Sequence, residues 1–315
     1  VSGVGAVAVG TRYAFSQQAH AQRQGVFGTS PIIVLAVCID LFLMLIFFMV
    51  RTDEMLRAPW VFPVSMGTFV LYGLSTVTLL IGHHAQGVMF TPALIIHTFT
   101  TLGVSLLAFR FGFGYDPIIH QTAERYVFAH GRILPLQPYY IGQYAVVAAL
   151  SFLTSLPTDL VDRVLVPLLA SITLPLIGLR GLVREYGFSV DRSRVVFLLV
   201  LLFPFSTLTF TVPHNLTVLY LLWLLLLLPK MGVSALPTTA GILSVFASLV
   251  THPLLGVPLG LASLSLCIRN RWRASSSAVA DFAFFLLSVI VIATSITGMF
   301  ALVRLKAGLP AFEFT

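Results

Sequence analysis

Long apolar runs almost free of charge constrain this chain more than any other feature. They fall at approximately 31–50, 58–81, 89–109, 161–182, 194–212, 215–228, 235–251, 253–268 and 278–303. A helix needs about 20 apolar residues to cross the hydrocarbon core of a bilayer. A spanning backbone must also satisfy its own polar groups, which favours helices over open strands. The expected fold is therefore all-α, a polytopic helical membrane protein with about eight to nine transmembrane helices. Composition agrees. The chain is 58% hydrophobic and only 9% charged, against about a quarter charged in soluble domains. Its mean hydropathy is +0.99. A chain this poor in charge cannot cover a water-facing surface, so membrane lipid is its main solvent. The net charge of +7 comes with no basic run interleaved with aromatics, which argues against nucleic acid as a partner. Cys38 and Cys267 both lie in apolar runs and carry no metal-ligand spacing. The first residue is not Met, and a fragment or processed form of a longer protein is the expectation.

Four regions follow: a polar tail at 1–30, transmembrane helices at 31–109, a segment of different pattern at 110–160, and transmembrane helices at 161–315. The third breaks the pattern. Residues 116–130 mix charged side chains with Ile118, Ile119, Tyr126 and Phe128, as an amphipathic helix on a membrane surface would. Asp116-Pro117 suits an N-cap and first turn, and Gly131 suits a C-terminal stop. A Pro-rich stretch, 134–138, leads to a second apolar piece, 140–156.

Arginines give the orientation of the later loops. Arg180, Arg184, Arg192 and Arg194 crowd one loop, and Arg269, Arg271 and Arg273 another, so both belong in the cytoplasm. If 140–156 does not cross, 110–160 is one extracytoplasmic segment; if it crosses, the amphipathic helix is cytoplasmic. Arg110, Arg125 and Arg132 leave both choices open. The loop from Arg51 to Arg57 votes weakly against the first, because it also holds Asp53 and Glu54.

Asp116, His120 and Glu124 are spaced by four and share one helix face. A carboxylate there can accept a proton from an attacking group or bind a divalent cation with a phosphate. The plainer alternative is a helix cap, Asp116, followed by a solvated face, His120 and Glu124. His214-Asn215 lies in a turn behind Pro213, and His252-Pro253 breaks the apolar run 235–268. Each is a turn residue or a contact in the same compartment as Asp116. Arg125 offers a fork of donors suited to phosphate. Asp40 lies inside the first span, where an acid is costly and often functional; the sequence names no partner for it. His83, His84 and His97 lack companion ligands at metal spacing.

The stretch Gly114-Tyr115-Asp116-Pro117, then Glu124-Arg125-Tyr126 and His130-Gly131, resembles the first outer loop of GT-C membrane glycosyltransferases. It is most similar to oligosaccharyltransferase catalytic subunits. Val164–Gly187, ending in Leu182-Val183-Arg184-Glu185-Tyr186, resembles the span after that loop. The resemblance covers roughly 90–273. It implies that 110–160 is extracytoplasmic and that 140–156 is a juxtamembrane helix. It implies an enzyme moving sugar from a polyprenyl-phosphate-linked donor to an acceptor. Asp116 then matches the family's first-loop acid, a catalytic base or a ligand for Mg or Mn depending on the branch. His120, Glu124, Arg125, His214, Asn215 and His252 become candidate substrate contacts. His214-Asn215 falls where oligosaccharyltransferases carry a second acidic motif, and no acid stands there. Two other classes remain in view: a multi-pass transporter or flippase, and a structural subunit working with further membrane subunits.

Overall fold

The computed structural model describes residues 31–53, 66–84, 89–132, 140–202, 206–227, 231 and 233–272. These residues are helical with short connections, and Thr52 and Phe109 meet in an isolated parallel bridge. In chain order the helices are α1 (Pro31–Met49), α2 (Met66–Ile81), α3 (Phe90–Leu102), α4 (Val104–Ala108), α5 (Asp116–His130) and α6 (Ile141–Thr154). They continue as α7 (Thr158–Arg184), α8 (Val190–Val200), α9 (Pro213–Leu227), α10 (Ala235–Thr251) and α11 (Pro253–Trp272). Four stretches are long and apolar enough to cross a membrane: Pro31–Met49, Met66–His84, Thr158–Arg184 and Pro253–Asn270. Shorter apolar helices are α3, α6, α9 and α10. The architecture fits a multi-pass helical membrane protein.

Two expected spans are shorter than the apolar runs suggested. The run 89–109 divides at Gly103, where α3 ends and α4 starts; a Cβ there would stand 2.7 Å from the Phe99 carbonyl oxygen. The run 194–212 is α-helical to Val200, and a 3₁₀ turn occupies Ser206–Thr209. Apolar character alone does not register such breaks. The tail 1–30, the Pro-rich stretch 134–138, residues 54–65 and the expected span 278–303 lie outside the described residues.

The helices bury polar groups within an apolar core and also expose many large apolar side chains. Helix α1 exposes Leu41, Phe42, Leu45 and Phe48 while burying Asp40 completely. Hydroxyls inside the helices fold back on carbonyls four residues earlier, Thr98 to Leu94 and Ser248 to Ser244 among them. The intramembrane acid has a partner after all. Asp40 accepts from His97 Nδ1 at 3.1 Å, Thr76 Oγ1 lies 3.1 Å from His97 Nε2, and the Tyr72 ring stacks on the imidazole. Helices α1, α2 and α3 are tied together at this point.

Helix α7 has 27 residues, and different polar groups gather at its two ends. At its start, Arg163 donates to the Arg110 carbonyl, and Arg110 pairs with Asp53 at 3.4 Å. At its far end stand Arg180, Arg184, Arg192 and Arg194, with His84 bonded to Asp191 at 3.0 Å. Helices α5 and α6 pack at the first end, against α7 and each other, and α6 also packs against α10.

Candidate functional site

Helix α5 begins after a turn that needs glycine: Gly112 and Gly114 have φ of +97° and +84°, where a side chain is strained. Gly131 stops it as expected, with φ of +65° and its N–H bonded to the Val127 carbonyl at 2.8 Å. Asp116 does not cap the helix. It is the first helical residue, Tyr115 precedes it, and no side chain caps the N-terminus. The Asp116 side chain is instead 69% exposed, with one oxygen 4.0 Å from His120 Nε2.

The amphipathic helix is oriented polar face inward. His120, Gln121 and Glu124 are buried, whereas Ile118, Ile119 and Phe128 are exposed. This corrects the solvated-face alternative for His120 and Glu124. Burial of polar groups demands partners, and α6 and α7 provide them. His120 Nδ1 lies 2.9 Å from the Tyr144 hydroxyl. Gln143 donates to Glu124 at 2.8 Å and to Asp162 at 3.2 Å, and Gln121 donates to Asp162 at 3.0 Å.

A ring sequence leads from His120 across the same end of the bundle. His120 meets Tyr140 edge-on at 5.2 Å, Tyr140 meets His252 at 5.6 Å, and His252 meets His214 edge-on at 5.7 Å. His214 is exposed and His252 half-buried, with its Nδ1 buried and unpartnered among the described residues. The close approach of α6 to α10 permits this. A Cβ on Gly142 would come within 2.6 Å of Thr251 Oγ1 and 2.8 Å of backbone. Asp116 beside His120 on α5, His252 between α10 and α11, and His214 in the first turn of α9 are thus linked through Tyr140.

Three other candidates are engaged elsewhere. Arg125 makes a two-point ion pair with Asp159 across the surface. His214 and Asn215 lie in the first turn of α9 rather than in a turn before it, and Asn215 is buried and donates to the Phe210 carbonyl at 3.0 Å. Glu124 is fully buried, away from the exposed face of Asp116.

Environment sets the protonation of these groups. Burial pushes the Glu124 carboxyl up to about 9, and the nearby Asp162 charge adds to this against the opposing Gln143 bond. Burial lowers His120, opposed by Asp116 and assisted by His252. Burial and then His214 lower His252. Both imidazoles are therefore neutral at pH 7, each with one donor and one acceptor nitrogen. Among the described residues no group of three or more His, Cys, Asp or Glu side chains is arranged to hold a metal ion.

Sequence reasoning missed Asp162, Gln121, Gln143, Tyr140 and Tyr144. A signal for Asp162 existed: it is an acid in the first turns of an apolar span, the same cue that singled out Asp40. The glutamines and tyrosines had no comparable signal. No protein-family model, no curated protein and no solved structure matches this chain.

Proposed function

We propose that this protein is a GT-C-like membrane glycosyltransferase. It moves a sugar from a polyprenyl-phosphate-linked donor to an acceptor at the extracytoplasmic face. The observation that carries the reading is the exposed Asp116 carboxylate at the head of α5 beside His120, from which the Tyr140, His252 and His214 rings follow in sequence. In this reading α3 with α4, α8, α9 and α10 cross the membrane as well. Together with the four longer stretches and the apolar run 278–303, they give about eight to nine spans.

The chemistry assigned to Asp116 is general-base catalysis. The acceptor's hydroxyl or amide attacks the anomeric carbon and gives its proton to the Asp116 carboxylate. The new bond to the anomeric carbon forms as the bond from that carbon to the phosphate oxygen breaks. Polyprenyl phosphate departs with the electron pair. Neutral His252 has a ring N–H to offer the phosphate oxygens, and His214 beside it a second, the role that Arg125 gives up to Asp159. The exposed apolar side of α5, with Ile118, Ile119 and Phe128, suits an interface against acyl or polyprenyl chains.

The test is transfer from a short-chain polyprenyl-phosphate sugar by the purified full chain, read as mass-shifted product. Asp116→Asn keeps the shape and removes the base, and a loss of at least 100-fold in turnover is expected. Full activity in that variant would sink the assignment.

A further inference from the structure

An exposed carboxylate is a poorly aimed base, and the group that faces Asp116 is the buried His120. Side chains on a helix lean back towards the preceding turn, so His120 reaches Asp116 with the tip of its ring. Its Nε2 stands 4.0 Å from Asp116 Oδ1. Nearer the ring's base, Nδ1 lies 2.9 Å from the Tyr144 hydroxyl of α6. Tyr140 meets the ring edge-on, with the two planes at 90°, and so opposes its rotation.

A neutral imidazole carries one N–H, so one nitrogen donates and the other accepts. Tyr144 decides which. Its side chain is fully buried, and His120 Nδ1 is its hydrogen-bond partner among the described residues. With the proton on Nδ1, that nitrogen would donate to the phenol oxygen, and the phenol O–H would be buried without an acceptor. A stranded buried donor is costly. With the phenol donating to Nδ1, both groups are satisfied, and the imidazole proton sits on Nε2, facing Asp116. Burial keeps the phenol protonated and the imidazole neutral, as this arrangement needs. The opposite tautomer would turn a lone pair towards the carboxylate. A hydroxyl on α6 thus sets whether Asp116 on α5 meets a donor or a repelling lone pair. A turn of the exposed Asp116 side chain closes the remaining gap.

We propose that Tyr144 is a positioning residue for Asp116: by donating to His120 Nδ1 it fixes the Nε2–H tautomer, and that N–H aims the carboxylate as the base. The tautomer stands on this geometry alone, and the catalytic consequence rests on the glycosyltransferase reading. During transfer Asp116 takes the acceptor's proton, while His120 and Tyr144 keep theirs. The experiment has two readouts on the full chain in detergent. The first is nitrogen-15 NMR of histidine-labelled protein at neutral pH, with the His120 signals identified by their loss in His120→Gln. Wild type should carry the His120 proton on Nε2. Tyr144→Phe keeps the ring's packing and removes only the hydroxyl; it should lower the ratio of the Nε2–H to the Nδ1–H form by about fivefold or more. The second is sugar transfer, in which Tyr144→Phe should lower kcat about tenfold and leave KM within about twofold. That loss should vanish when Tyr144→Phe is made in a His120→Gln background, where no tautomer is left to fix. A purely structural role for the hydroxyl would persist there. The proposal is overturned by an Nδ1–H or doubly protonated His120 in wild type, by a tautomer ratio unchanged in Tyr144→Phe, or by a kcat loss that persists in the His120→Gln background. Absence of transfer by wild type fails the glycosyltransferase reading and the catalytic role with it, and the NMR result still confirms or overturns the tautomer.

Discussion

His252 shows how much a single side chain's role depends on neighbours far away in the chain. In sequence it is a polar break before Pro253; in the fold it stands between Tyr140 and His214 with a buried, unpartnered nitrogen. Its folded pKa is depressed, by burial first and by His214 second. The unfolded chain takes up that proton near pH 6.5. Stability from a neutral His252 is therefore fully present above about pH 6.5 and is lost as pH falls below it. The unfolding midpoint should drop over that acid range, and His252→Gln should flatten the drop. An identical slope in wild type and variant would count against a buried neutral imidazole. Asp40 makes the complementary case. Its intramembrane position marked it as costly, but only packing of α1 against α3 supplied His97 as its partner.

At the scale of the element, α5 and α6 decide the site. Their boundaries were legible: Gly131 and the polar residues of 116–130 act locally, and the helix spans Asp116–His130 as expected. Which face turns inward was not legible, because the polar face is buried by Gln143, Tyr144 and Asp162 from other helices. The contact of α6 with α10 is equally non-local and depends on Gly142. Gly142→Ala places a methyl group against Thr251 and the Val250 carbonyl carbon, which cannot move aside as a flexible side chain would. The substitution should cost about 1–3 kcal/mol and loosen Tyr140 from His252. Gly131→Ala, with open space around it, serves as the comparison and should cost about 1 kcal/mol, through its left-handed backbone alone. Denaturant unfolding of both variants in detergent tests the order; a larger loss at Gly131 would contradict the close-approach argument.

At the scale of the whole molecule, α7 sets the Asp116 end against the arginine-rich end. In the proposed orientation α7 crosses the membrane, and the positive-inside rule puts the arginine-rich end in the cytoplasm and the Asp116 end outside. Ser155 and Ser189 are exposed near the two ends of α7. Introduced as Ser155→Cys and Ser189→Cys in a background lacking Cys38 and Cys267, they should react with an impermeant thiol reagent from opposite sides of sealed vesicles. Labelling of both from one side would remove the proposed extracytoplasmic placement of Asp116 and with it the proposed donor geometry. By itself the sequence determined the helical class, most helix positions and the apolar stretches long enough to cross a membrane. Hydropathy, glycine stops and arginine clusters express themselves within a few turns of chain. Only the tertiary structure decided that Asp116 stays exposed while Glu124 is buried, that three histidines share one end, and that Asp40 meets His97. These outcomes depend on which helices touch, and a bilayer that treats every apolar face alike leaves that choice to the few polar groups and small residues between helices.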